Sequence, residues 1–142
     1  YTGISRFASE VAKTQIDNFK NRKKELQAIG QMVTEALSIL GSNATDIKEF
    51  GKLLNESWKL KQSLSASVSS QAIDEMYKTA INHGAIGGKI LGAGGGGFLL
   101  VFADPKKHGA IVGGLKNLLH VPIKFERSGS RVVLYEPDIM TE

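Results

Sequence analysis

Apolar residues recur at helical spacing through roughly the first half of the chain and then give way to short extended runs. From about Ser5 to Leu40 the pattern predicts helix. Leu26, Ile29, Val33, Leu37 and Leu40 follow one another at steps of three and four, which sets them on one face. Gly41 stands where a helix C-cap belongs, and Ser42-Asn43-Ala44-Thr45 reads as a turn. Thr45 is the expected N-cap of a second helix that runs to about Ser67. In the serine-rich patch from Ser63 to Ser70 we expect a helix end followed by a new N-cap and not a linker. Ile73, Met76, Tyr77, Ala80 and Ile81 resume helical spacing at once, and this third helix should stop at Gly84 with His83 in its last turn.

Beyond Gly84 the period changes. Gly87-Gly88-Lys89-Ile90-Leu91 is short and extended, a glycine run follows, and Phe98-Leu99-Leu100-Val101-Phe102 is a continuous apolar run of strand length. Such a run predicts a strand buried on both faces. Asp104-Pro105 is a helix start, with the aspartate as N-cap and proline at the first helical position. Ile111, Val112, Leu115, Leu118 and Leu119 supply that helix with an apolar stripe. Two last strands, Ile123–Arg127 and Arg131–Tyr135, are expected to flank the turn Ser128-Gly129-Ser130 as a hairpin. Tyr1-Thr2-Gly3-Ile4 reads as the end of a further strand. No internal repeat or domain boundary stands out, so residues 1–142 are expected to form one α+β domain. The order is compatible with a ferredoxin-like sheet carrying additional helices between its first two strands.

Composition changes this picture little. The chain has 142 residues, 42% apolar and 23% charged, with a formal charge of +4. That excess is too mild to imply nucleic acid, and the basic run Lys20-Asn21-Arg22-Lys23-Lys24 lacks the interleaved aromatics that stack bases. There are no cysteines, which excludes disulfides and thiolate metal sites and fits a cytoplasmic setting. His83, His108 and His120 lack metal-ligand spacing, so no metal site is expected in this chain. No apolar run reaches the roughly 18–20 residues that span a bilayer, and no membrane association is expected. The sequence opens at Tyr1 without methionine, which suggests a piece of something longer.

The densest chemical signal is Gly92-Ala93-Gly94-Gly95-Gly96-Gly97, with Gly84, Gly87 and Gly88 just before it. Ordered glycine is costly in backbone entropy. A run this dense is either a floppy linker or a tight loop serving positive φ angles and close approach of backbone or ligand. Strand-like segments on both sides favour the tight loop, and successive backbone N–H groups without side chains can cradle an anion. The run is not a Walker A sequence, because no Gly-Lys-Ser/Thr closes it. Nor is it a dinucleotide fingerprint, because a strand and not a helix follows.

The string Gly84-Ala85-Ile86-Gly87-Gly88-Lys89-Ile90-Leu91-Gly92-Ala93-Gly94-Gly95-Gly96-Gly97-Phe98 resembles the third signature motif of the GHMP kinases. Thr2-Gly3-Ile4-Ser5-Arg6 and Trp58-Lys59-Leu60-Lys61-Gln62-Ser63-Leu64-Ser65 resemble, within that family, the sugar kinases acting on heptose 7-phosphate. Galactokinase-like or fucokinase-like specificity is the alternative. The resemblance implies an ATP- and Mg2+-dependent kinase of small metabolites with a ferredoxin-like C-terminal domain. It also implies that the phosphate-cradling loop lies in an N-terminal domain that this chain lacks. ATP and Mg2+ would be bound mainly there, and the present loop would support that site from the opposite side. This chain alone is therefore not expected to turn over, and no catalytic residue is assigned. A freestanding ferredoxin-like anion-binding module is the reading from a different class.

The second helix carries one more feature. At about 100° per residue, Phe50, Leu53, Leu54, Leu60 and Leu64 define an apolar arc, with Ile47 and Trp58 toward its edge. Ser57, Lys61 and Ser65 fall inside the arc in a line. A lysine there must snorkel, pair with a carboxylate, or meet an anion. On the last reading Lys61 meets a substrate phosphate and Trp58 stacks on a sugar ring. Ser57, Ser65 and Arg6 complete the expected substrate-binding set, with a sugar or sugar phosphate as partner.

Overall fold

The computed structural model describes residues 1–126 and 128–134. Helix α1 (Ala8–Asn18) ends in a 3-10 turn, Phe19–Asn21, and α2 (Lys23–Gly41) follows. α3 (Lys48–Leu64) leads through a second 3-10 turn, Ala66–Val68, to α4 (Gln71–Asn82). Strands β1 (Ala85–Ile90) and β2 (Leu99–Ala103) pair antiparallel, with Gly88 opposite Val101 and Ile90 opposite Leu99. A 3-10 turn, Pro105–Lys107, then opens the short α5 (His108–Gly114). The class is α+β, helices packed on a small antiparallel sheet.

Local chemistry explains most of these boundaries. Ser70 accepts the Ile73 N–H at 3.4 Å and starts α4, the new N-cap expected within the serine-rich patch. Gly84, at φ +104°, ends that helix with its N–H on the Ile81 carbonyl. Asp104 accepts the Lys106 N–H at 2.9 Å beside Pro105. The start of α3 differs from expectation. Asp46, and not Thr45, caps it by accepting the Lys48 N–H at 2.9 Å, because Ser42 Oγ holds the Thr45 amide and hydroxyl in the preceding turn.

The core has two centres. Trp58, Val68, Ile73 and Ile90 form one, flanked by Ile4, Tyr77 and Leu99. Ala80, Ala85 and Ile111 form the other, against Val101 and Leu115. Full burial of each large side chain in the first centre is worth about 1.5–3 kcal/mol. Between the centres α3 crosses β1 backbone to backbone. A Cβ on Gly87 would lie 2.0 Å from the Gly51 carbonyl oxygen, so this contact exists only because both residues lack side chains.

Several expectations are corrected. The first long helix is broken at Arg22, whose φ of −122° and ψ of 29° are not helical. On α2 the inward residues are Met32, Ala36 and Ile39, while Val33, Leu37 and Leu40 are 57–68% exposed. Leu26 and Ile29 of the expected stripe are half-buried, but that helix is apolar on two sides, and over its second half periodicity alone chose the wrong one. The strand buried on both faces is β1, which α3 and α4 cover, whereas every residue of β2 is half-buried. α5 stops at Gly114, which leaves Leu118 and Leu119 beyond it. Of the expected hairpin, Arg127 and Tyr135 lie outside the described residues, and positions 123–126 and 131–134 form no strand. The sheet among the described residues is thus two-stranded. Residues 1–4 are not a strand of it, although Thr2 N–H donates to the Gly97 carbonyl.

Candidate functional site

The glycine run is a rigid loop joining β1 to β2. Leu91 N–H to Phe98 O at 2.9 Å closes its base. Gly95 N–H donates to Val68 O at 2.8 Å, and Gly97 N–H donates to Ile4 O at 2.9 Å. Thr2 holds Gly97 O with both its amide and its hydroxyl. Side chains secure the rest: Gln15 Nε2 donates to Ala93 O at 3.0 Å, and Lys61 Nζ donates to Gly92 O. Gly95 has φ +75°, and a Cβ there would press on Ser67 O and the Val11 side chain. The loop is a tight structure and not a linker.

Two cavities flank it. The larger, about 510 Å3, is lined by Arg6, Glu10, Val11, Thr14, Ser67 and Gly95 among others. The smaller, about 190 Å3, lies against Tyr1, Ile4, Arg6, Gly92 and Gly94. Arg6 belongs to both. Its guanidinium has no hydrogen-bond or ion-pair partner among the described residues.

The five residues expected to face substrate do not share one surface. Arg6 lines the cavities. Lys61 reaches the loop, but one of its protons is committed to the Gly92 carbonyl, which is the pairing an inward lysine requires. Burial lowers its pKa from the ordinary lysine value, with the nearby Lys89 charge adding to the effect. Ser65 is buried and structural: its Oγ donates to Thr14 Oγ1 at 2.8 Å and accepts the Ser67 N–H at 3.1 Å. Ser57 is half-buried on α3 and lines neither cavity. Trp58 is 1% exposed, packed with Val68, Ile73 and Ile90 and 6.4 Å from the Tyr77 ring. Stacking on a sugar is therefore ruled out for it. The calculated helical arc put Trp58 at an edge, yet the 3-10 turn that holds Val68 folds back over that edge.

Glu10, Ser67 and Gln15 were missed by sequence reasoning. The i, i+4 spacing of Arg6 and Glu10 is visible in the chain, but only the fold brings Ser67 and Gly95 opposite them. Among the described residues no group of three or more His, Cys, Asp or Glu comes together to hold a metal ion. No described helix is long and apolar enough to cross a membrane.

Comparison with known proteins places this loop and fold. The family model described as GHMP kinases C terminal matches residues 22–116. The chain is 32% identical over 108 residues to D-glycero-alpha-D-manno-heptose 7-phosphate kinase of Campylobacter jejuni, covering 75% of this chain and 32% of that protein. It is 31% identical over 114 residues to a mevalonate kinase of Thermococcus onnurineus, covering 75% of this chain and 34% of the relative. The crystal structure of L. major mevalonate kinase in complex with R-mevalonate superposes with a TM-score of 0.68 at 25% identity. It covers 82% of this chain and 36% of its own. This chain thus spans about a third of the length of these relatives. With a matching family model over most of its described length and the glycine loop in place between β1 and β2, the chain belongs to the GHMP kinase family, as a C-terminal domain.

Proposed function

We propose that this chain is the substrate-side part of an ATP-dependent sugar kinase that phosphorylates a heptose 7-phosphate at its anomeric hydroxyl. It would work together with an N-terminal domain that carries the phosphate-cradling loop and the magnesium site. The observation that carries the reading is the similarity to the Campylobacter jejuni heptose 7-phosphate kinase over three quarters of the chain. In such a reaction the anomeric oxygen attacks the γ-phosphorus, the bond to the ADP oxygen breaks, and the hydroxyl proton leaves to a base. Catalysis rests chiefly on positioning and charge neutralisation. What this chain contributes is position. The glycine loop is held from four sides, so a phosphate-bearing partner surface can approach backbone without displacing side chains.

Lys61 stands at the start of that loop with ammonium protons beyond the one given to Gly92. In the complete kinase Lys61→Met should raise KM for the sugar phosphate about tenfold and KM for ATP by much less, as expected for loss of one charged hydrogen bond. Equal rises in both constants would show that Lys61 serves the loop alone. A second reading has its own support, because a relative from Arabidopsis thaliana, a bifunctional fucokinase/GDP-fucose pyrophosphorylase, is 30% identical over 106 residues. A turnover screen of the complete kinase with heptose 7-phosphate, fucose, galactose and mevalonate decides. Phosphorylation of the heptose phosphate at C1 is the expected result, and turnover of mevalonate alone would overturn it.

A further inference from the structure

The larger cavity holds charges that the fold itself does not use. Several of its polar groups are already engaged. Ser69 Oγ donates to Asp74 Oδ1 at 2.6 Å, Ser70 Oγ accepts the Ile73 N–H, and Thr14 Oγ1 lies between Val11 O and Ser65 Oγ, each at 2.8 Å. Three side-chain groups remain without a hydrogen-bond or ion-pair partner among the described residues: the Arg6 guanidinium, the Glu10 carboxylate and the Ser67 hydroxyl. Arg6 and Glu10 line the same cavity without forming an ion pair. The set therefore offers a fork of donors, a pair of acceptor oxygens and a hydroxyl, at a formal net charge of zero. Val11 and Ala66 supply an apolar part of the lining.

That composition selects a ligand class. A phosphate or carboxylate would gain from Arg6 but would be repelled by Glu10, and a cation would meet the reverse. A neutral ligand bearing adjacent hydroxyls suits both, since each hydroxyl donates once and accepts twice. About 510 Å3 lies within the ordinary range of small-ligand sites. The wall at Gly95 belongs to the glycine loop, so a ligand held here touches the loop that the kinase reading needs.

We propose that the cavity between Arg6, Glu10 and Ser67 binds the hydroxyl-bearing ring of the sugar, with Glu10 accepting from one or two ring hydroxyls and Arg6 donating to their oxygens. This deepens the kinase reading and rests on it for the identity of the sugar. Phosphate groups are then held elsewhere, and Glu10 keeps an anionic group out of this cavity.

The test uses the complete kinase and two variants, Glu10→Gln and Arg6→Gln. Both residues are exposed, so melting temperatures should match the parent. In each variant KM for heptose 7-phosphate should rise about tenfold or more, as for a site that hydrogen-bonds a substrate hydroxyl, with KM for ATP unchanged. Direct binding of the unphosphorylated heptose should be lost in Glu10→Gln, while competition by inorganic phosphate persists. Unchanged sugar constants in both variants would overturn the subsite and leave the kinase reading intact. Tighter phosphate binding in Glu10→Gln with unaltered heptose binding would overturn it too, by showing that the cavity takes an anion. If the parent enzyme phosphorylates no sugar but still binds free heptose through Glu10, the activity reading fails and the subsite stands.

Discussion

Gly87→Ala is expected to lower the melting temperature of this protein by roughly 10 °C or more, the largest stability effect of any single methyl group here. The added carbon would sit 2.0 Å from the Gly51 carbonyl oxygen and 2.9 Å from the Asn55 nitrogen. Both are main-chain atoms inside α3, so no rotamer change relieves the clash. Either α3 lifts from β1 or the strand shifts its register. Lifting α3 would open the Trp58, Val68, Ile73 and Ile90 centre, so a cost of about 3 kcal/mol or more follows. Thermal unfolding followed by circular dichroism checks this. A change of only a degree or two would mean that the helix and strand do not approach as closely as the backbone contact requires. Gly30→Ala, where a Cβ meets nothing within 4 Å, is the matched control and should be neutral or slightly stabilising.

Gly95→Val should reduce kcat/KM of the complete kinase by about a hundredfold or more while the fold survives, because a misplacement near 1 Å in a positioning element is enough for that loss. Two causes combine at Gly95. Its φ of +75° is strained for any β-branched residue, and the first added carbon already meets Ser67 O at 3.1 Å and Val11 Cγ2 at 3.2 Å. Relief requires the loop to move away from the turn that holds Val68, which breaks the Gly95 N–H to Val68 O bond. The sheet register Gly88 to Val101 and Ile90 to Leu99 does not depend on that bond, so far-ultraviolet circular dichroism should change little. Normal turnover would show that the kinase does not need the loop in this position.

The loop and the succession of helices and strands from α3 to β2 were legible because they rest on local rules. Gly84 and Asp104 each mark a boundary by chemistry that acts within a few residues, and the structure places both where the sequence did; the N-cap expected somewhere in the serine patch is Ser70. Burial was less legible wherever two faces competed. α2 carries Val33, Leu37 and Leu40 on one side and Met32, Ala36 and Ile39 on the other, and only its packing on α3 selects the second set. Trp58 shows the same limit at the site. Its angular position on α3 leaves it at the rim of the apolar arc, but a turn formed by later residues closes over it. Arg6 was a candidate from its position after the opening segment, and the structure sets it in the wall of both cavities. Glu10 stands one helical turn from it, but the cavity neighbours Ser67 and Gly95 come from segments far apart in the chain, and no periodicity joins them to Arg6.

The ties on the glycine loop have a thermodynamic consequence for whatever docks against it. Five glycines in an untethered segment would lose a large conformational entropy on binding, because glycine has the most freedom to lose. Here Val68, Ile4, Thr2, Gln15 and Lys61 have fixed that segment during folding. The ordering cost is charged to the stability of the domain and not to affinity. A ligand or a facing domain therefore meets a preformed surface, and its contact energy goes into holding the complex together.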